Sequence, residues 1–320
     1  MFRMLFQTLL TLSLVQVVPV DGGAIERAAD LPTASVRSAV ASAAVLANTE
    51  AHLPTSENRG PTRVDATSAG VVTSAQSVLV VDRESRLPLY AKEPDAVRPI
   101  GSISKLMTAL VFLNTNPNLN TVVPILPEDM REGGRIYLGL NDPVSLRDLL
   151  HASLVGSDNT ATMSLVRLSG LTETDFVARM NEKAKELGMK ASTFHDPTGL
   201  SADNVSTARD IVHLLEAVQS ESEIASTIIL PEVTILQESG REVTIPTTDD
   251  LLTSFINEPP YQMLGGKTGY LPEAGYCIGV GVHHENAGDI FIVLLGSDTK
   301  ATRVQEVKGL AAWTYRVFTW

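Results

Sequence analysis

The 320-residue chain has a single cysteine, Cys277. That excludes an intramolecular disulfide and any cysteine-rich metal framework. None of its six histidines falls in an H-E-x-x-H pattern. The pair His283-His284 precedes a turn-like Glu285-Asn286-Ala287-Gly288 and reads as a solvated hairpin end, not a zinc site. No metal or other cofactor is expected. Positive charge is also scarce, with 25 Lys and Arg against 37 Asp and Glu, a formal charge of −12 and a pI near 5.0. Such a balance argues against nucleic acid as a partner. The acidic residues are spread out, which suits solubility. Beyond the leader, no segment approaches the roughly 20 apolar residues that a bilayer span needs.

What is present begins with that leader. Arg3 gives a small positive region, and Met4–Val18 is mostly apolar, interrupted by Gln7, Thr8, Thr11, Ser13 and Gln16. Residues 1–24 read as an export signal, with Gly22 or Ala24 as the cut point and an uncleaved anchor as the alternative. Residues 25–75 are rich in Ala, Ser, Thr and Val, and are expected to be a poorly ordered tether. Packing on the domain or holding a partner protein are the other readings of this stretch. The folded domain is expected over 76–320. At 44% hydrophobic residues, the chain can bury a sizeable core.

Within the domain, Ser77–Asp82 and Leu87–Ala91 predict a hairpin around a polar turn. A helix is predicted to open near Ser102, after Pro99 and Gly101, with Leu106, Met107, Leu110, Val111 and Leu113 following. Short strands and turns are expected over 121–143, and helices from Leu146 to about Val218. Strand-like runs follow at Thr227–Gln237, Glu242–Pro246, Tyr276–Val282 and Ile290–Gly296, then a helix at Ala301–Phe318. Its Trp313 and Tyr315, with Phe318 and Trp320, read as packing on a sheet rather than as a membrane face. The predicted class is α+β, with one antiparallel sheet built from both chain ends and a helical insertion between them.

Three short strings carry chemistry: Ser102-Ile103-Ser104-Lys105, Ser157-Asp158-Asn159 and Lys267-Thr268-Gly269. A serine hydroxyl needs an adjacent base to attack at neutral pH. Residues three apart on a helix share a face, so Lys105 can reach Ser102. To accept a proton, Lys105 must titrate well below its reference value of about 10.4. Burial, the helix N-terminus and a second ammonium, Lys267, could each lower it. Asp158 reads as a helix N-cap, and Asp196-Pro197-Thr198-Gly199 as a tight turn bordering the site.

Each string alone is weak. In this order the trio is the set shared by penicillin-binding proteins and class A β-lactamases. Phe176–Met189, Thr193–Ser201, Asn204–Asp210 and Gly266–Cys277 extend the likeness. From about Gln76 onward the chain resembles the low-molecular-mass D-alanyl-D-alanine peptidases, most of all their endopeptidase branch. Asn204-Val205-Ser206-Thr207-Ala208-Arg209-Asp210 favours that branch, as does an end about fifty residues after Lys267. That end leaves no room for the C-terminal β-domain and amphipathic anchor of many carboxypeptidase relatives.

The resemblance implies the penicillin-recognising serine-transferase (β-lactamase-like) fold and acyl transfer through Ser102, with Lys105 as base. It also implies Ser157 as proton relay between Lys105 and the leaving amine, and Asn159, Lys267 and Thr268 as substrate-binding groups. The backbone N–H groups of Ser102 and Tyr270 would form the oxyanion hole. Peptidoglycan stem peptides are the implied substrate, β-lactams the implied inhibitors, and the periplasm the implied location, without a stable membrane anchor. A carboxypeptidase that trims stem pentapeptides is the alternative. A class A β-lactamase would need a deacylating glutamate, and Lys190–Asn204 holds none. A non-catalytic peptidoglycan-binding module would have lost Ser102 or Lys105.

Overall fold

The computed structural model describes residues 60–320 except 132, 135, 142, 238 and 239. The expected export signal and residues 25–59 of the expected tether lie outside the described residues.

In chain order, β1 (Thr62–Arg63), β2 (Ser77–Asp82), β3 (Pro88–Lys92) and β4 (Arg98–Pro99) lead through a 3-10 turn, Gly101–Ile103, into α1 (Ser104–Leu113). β5 (Val122–Val123) and β6 (Val144–Ser145) precede α2 (Leu146–Leu154), α3 (Asn159–Leu168) and α4 (Glu173–Glu186). β7 (Val205–Ser206), α5 (Ala208–Ser220) and α6 (Ser222–Thr227) follow. The hairpin β8 (Glu232–Leu236) and β9 (Glu242–Pro246) then leads to β10 (Tyr261–Leu271), β11 (Gly275–His284) and β12 (Ile290–Ser297). α7 (Lys300–Val317) and β13 (Phe318–Thr319) close the chain.

The main sheet has five antiparallel strands in the order β10-β11-β12-β2-β3. It joins the two chain ends, as the strand-like runs predicted, and the helices α1 to α6 form the insertion. Side chains alternate across a strand, and both faces here are covered. Val78 and Val80 of β2 and Ile290, Ile292 and Leu294 of β12 share one core with Val304, Val307 and Leu310 of α7. Leu79, Val81, Phe291, Val293 and Leu295 share the other with α1 and with Ile211, Leu214 and Leu215 of α5. Two-sided burial is why β2 and β12 read as continuous apolar runs. α1 lies deepest in the insertion, with every residue from Ser104 to Phe112 buried. The helix starts follow local chemistry: Ser145, Asp158, Thr172, Thr207 and Thr299 each accept a backbone N–H of the helix they begin.

Two expectations change. The run Thr227–Gln237 is not one strand. Ile228 N–H donates to Ile224 O, so helical bonding continues past Thr227, and Ile224 and Ile228 are buried in the helical core. Pro231 has no N–H to continue it, and β8 begins at Glu232. The folded region also begins earlier than residue 76. β1 pairs with β13, Tyr90 Oη donates to Val71 O (2.8 Å), and Lys92 Nζ donates to Thr73 O and Ala75 O. Trp313 Nε1 donates to Ser68 Oγ (2.7 Å). These polar groups tie residues 62–75 across β3 and α7, a role that their Ala/Ser/Thr-rich composition did not reveal.

Candidate active site

Ser102 lies in the 3-10 turn and Lys105 in the first turn of α1, so their spacing of three places Lys105 Nζ 3.0 Å from Ser102 Oγ. Lys105 is completely buried. Its ammonium also donates to Asn159 Oδ1 (2.7 Å) and to Thr198 O (2.6 Å), which uses all three donors. Burial disfavours the charged form and lowers Lys105 to about 7, against the pull of Asp196 and Asp158. Of the expected causes, burial dominates. The two ammonium groups also disfavour each other, and the Lys105 charge is among the causes that lower Lys267.

The Ser157 string joins α2 to α3. Asp158 is buried and caps α3, accepting from Ala161 N–H and from Tyr137 N–H at 3.0 Å each. Ser157 has φ +59, a left-handed conformation that costs a non-glycine residue about 1 kcal/mol or more. Its Oγ accepts from Lys267 Nζ (3.0 Å). Among the described residues Ser157 makes no hydrogen bond to Lys105, whose three donors go to Ser102, Asn159 and Thr198. Asn159 Nδ2 donates to Gly133 O (2.9 Å), which ties the 130–143 segment to the same side chain that holds Lys105.

Three glycines let separate backbones meet at Ser102. A Cβ on Gly101 would lie 2.8 Å from Tyr270 N, one on Gly269 3.3 Å from Ser102 N, and one on Gly199 2.9 Å from Ser102 N. Gly101 and Gly199 also have positive φ. Asp196 folds the 196–201 turn, as its residue types predicted, by accepting from the N–H groups of Thr198, Gly199 and Ser201. That turn presents Thr198 O to Lys105.

Lys267 is buried, and burial, followed by the Lys105 and Arg303 charges, moves it well below its ordinary value. Thr268 Oγ1 pairs with Thr248 Oγ1 at 2.7 Å. Ser102, Ser157, Asn159, Thr268 and Tyr270 all line one cleft of ≈ 350 Å³. Thr248, Tyr276, Lys300 and Arg303 line it too and were not singled out from the sequence. Arg303 belongs to α7, whose residues read simply as sheet packing. Tyr270 is half exposed and stacks on Tyr276, with ring centroids 4.4 Å apart. Among the described residues, no group of three or more His, Cys, Asp or Glu could hold a metal ion.

A serine lining a cleft and paired with a buried lysine, at the seam of a helical insertion and an antiparallel sheet, defines an active-serine hydrolase. The comparisons with known proteins narrow the class. The family described as D-alanyl-D-alanine carboxypeptidase matches residues 63–299, and the chain belongs to it. A Haemophilus influenzae protein named D-alanyl-D-alanine endopeptidase is 35% identical over 232 residues, covering 72% of this chain and 78% of that protein. A Pseudomonas aeruginosa protein of the same name is 34% identical, covering 74% and 76%. Among solved structures, a Listeria monocytogenes penicillin-binding protein in its cefotaxime-bound form superposes with a TM-score of 0.65 at 29% identity. The match covers 78% of this chain and all (100%) of that one. The enzyme is thus a serine D,D-peptidase.

Proposed function

We propose that the chain cleaves D-alanyl cross-links between peptidoglycan stem peptides, outside the cytoplasm, through an acyl-enzyme at Ser102. The observation that carries this is the 3.0 Å approach of Ser102 Oγ to a buried Lys105 lowered to about 7. Lysine in that state is a base matched to neutral pH. Ser102 Oγ attacks the D-alanyl carbonyl carbon while Lys105 Nζ takes its proton. The carbonyl oxygen becomes an oxyanion facing the N–H groups of Ser102 and Tyr270; one such donor is worth about 10²–10³ in rate. The C–N bond then breaks as Lys105 releases the proton it took from Ser102; Ser157, turning from Lys267, passes that proton to the leaving amine, and Lys105 is neutral again. Water, losing a proton to Lys105, hydrolyses the ester and frees Ser102. Asn159 holds Lys105 and offers its amide to the substrate. Lys267 and Thr268 receive the substrate carboxylate, and β-lactams, which carry a carboxylate beside a strained amide, acylate Ser102 in the same way.

The endopeptidase reading is supported by the names of the relatives at 34–35% identity. Export to the periplasm is supported by the leader, and among the described residues no helix is long and apolar enough to cross a membrane. The test is mass spectrometry of purified cross-linked muropeptide dimers and of monomeric pentapeptide, each incubated with the enzyme. Dimers should yield monomers with the larger kcat/KM. Faster release of D-alanine from pentapeptide would make the protein a carboxypeptidase.

A further inference from the structure

The segment that follows β9 joins two of the three motifs. Thr248 N–H donates to Val155 O (3.1 Å), at the C-terminal end of α2. Val155 is followed directly by Gly156 and Ser157. The backbone on either side of Thr248 is also held. Thr247 N–H donates to Pro231 O (2.9 Å), and Asp249 N–H donates to Thr247 Oγ1 (3.1 Å). So fixed, the Thr248 side chain reaches β10. Its Oγ1 lies 2.7 Å from Thr268 Oγ1 and 3.5 Å from Lys267 Nζ. Thr248 lines the same cleft as Ser102, Ser157 and Thr268.

Counting hydrogens gives this contact a direction. A hydroxyl has one hydrogen to donate and two lone pairs with which to accept. By itself the 2.7 Å contact allows either threonine to be the donor. An ionised carboxylate only accepts. When Thr268 binds one, its single hydrogen is spent there, and the contact between the two hydroxyls persists only if Thr248 donates. The lone pairs of Thr248 Oγ1 then remain for Lys267 Nζ, which also donates to Ser157 Oγ (3.0 Å) and Thr268 O (3.2 Å). The order is Lys267 N–H to Thr248, Thr248 O–H to Thr268, and Thr268 O–H to the carboxylate. Hydrogen bonds in such a chain polarise one another, so each donation strengthens the next.

We infer that Thr248 is a positioning residue: its hydroxyl donates to Thr268 Oγ1 and holds the Thr268 hydrogen toward the substrate carboxylate. This rests on the reading of Thr268 as a carboxylate-binding group. Thr248 touches no reacting atom; it acts through Thr268. Because its backbone is tied to Val155 O, it also sets the carboxylate group relative to Ser157.

The test compares acylation by benzylpenicillin with acylation by its methyl ester, which lacks the carboxylate. Thr248→Val keeps the branched shape and removes the hydroxyl. It should raise the benzylpenicillin concentration for half-maximal acylation by about three- to tenfold, the effect of one ordinary hydrogen bond, with little change in the maximal rate. The preference for the acid over the ester should fall by the same factor. Thr248→Ser should restore both. In a Thr268→Val background, Thr248→Val should add no further loss, because the group it acts through is gone. Thr248→Ala gives the same readout if the valine variant folds poorly. Equal losses with acid and ester, a loss that persists beside Thr268→Val, or no loss at all overturns the inference and leaves Thr248 as a packing residue. Failure of the underlying reading shows separately, as a Thr268→Val single variant whose preference for the acid equals that of the wild type.

Discussion

Lys105 has three hydrogen-bond partners and no exposed surface, and that combination gives it two pH signatures. As a base it works only when neutral, so acylation of Ser102 should rise as pH climbs through about 7. As a buried group its folded value lies below its ordinary 10.5. Between those two values the unfolded chain binds the proton and the folded chain does not, so its contribution to stability increases with pH across that window. Lys105→Arg keeps a charge but cannot accept a proton. It should lower acylation by about 10²–10⁴-fold, and stopped-flow or gel-based labelling with a fluorescent penicillin measures this. A variant that acylates near the wild-type rate would place the base elsewhere. The residue scale was also the most legible in sequence. Ser102, Lys105, Ser157, Asn159, Lys267 and Thr268 stand in short contiguous strings; the pairing of Ser102 with Lys105 follows from residue type and spacing, while the roles of the other four were implied by the resemblance.

At the scale of elements, the site depends on how closely three backbones pack. The 3-10 turn before α1, the 196–201 turn and β10 meet at Ser102 N–H, and Gly199 has positive φ at that meeting point. Gly199→Ala places a methyl group against Gly101 O and 2.9 Å from Ser102 N. The turn must shift to accommodate it. A misplacement of about 1 Å costs roughly 10²-fold in rate, so acylation should fall by about that factor while circular dichroism still shows a folded protein. Wild-type acylation in this variant would mean the three segments are not held as described. Elements were legible where one cause decides them. Helix caps and the two-sided strands β2 and β12 are examples. Thr227–Leu230 was misread because its β-branched residues favour a strand, while burial of Ile224 and Ile228 and the helical bond between them prolong the helix. Thr248 and Arg303 were invisible as residues lining the cleft. Nothing in a polar loop or a sheet-packing helix says that folding will bring them to the Lys267 strand.

At the scale of the whole molecule, the sheet from both chain ends makes the site a product of distant segments. Ser102 follows the N-terminal hairpin, Ser157 comes from the insertion, and Lys267 lies on a C-terminal strand. Strand-like runs at both ends with helices between them pointed to this arrangement, and the resemblance implied that the site lies at the seam. The clasp of residues 62–75 over β3 and α7 was not revealed, since it uses backbone carbonyls and small polar side chains that composition alone assigns to a linker. Every step of the proposed reaction passes through one covalent bond, and the most direct measurement is where that bond forms. The intact protein is incubated with a penicillin, digested, and the modified peptide mapped by tandem mass spectrometry beside Ser102→Ala. The expected result is one adduct, on Ser102, that disappears in the variant. An adduct on any other residue, or full labelling of Ser102→Ala, would contradict the assignment.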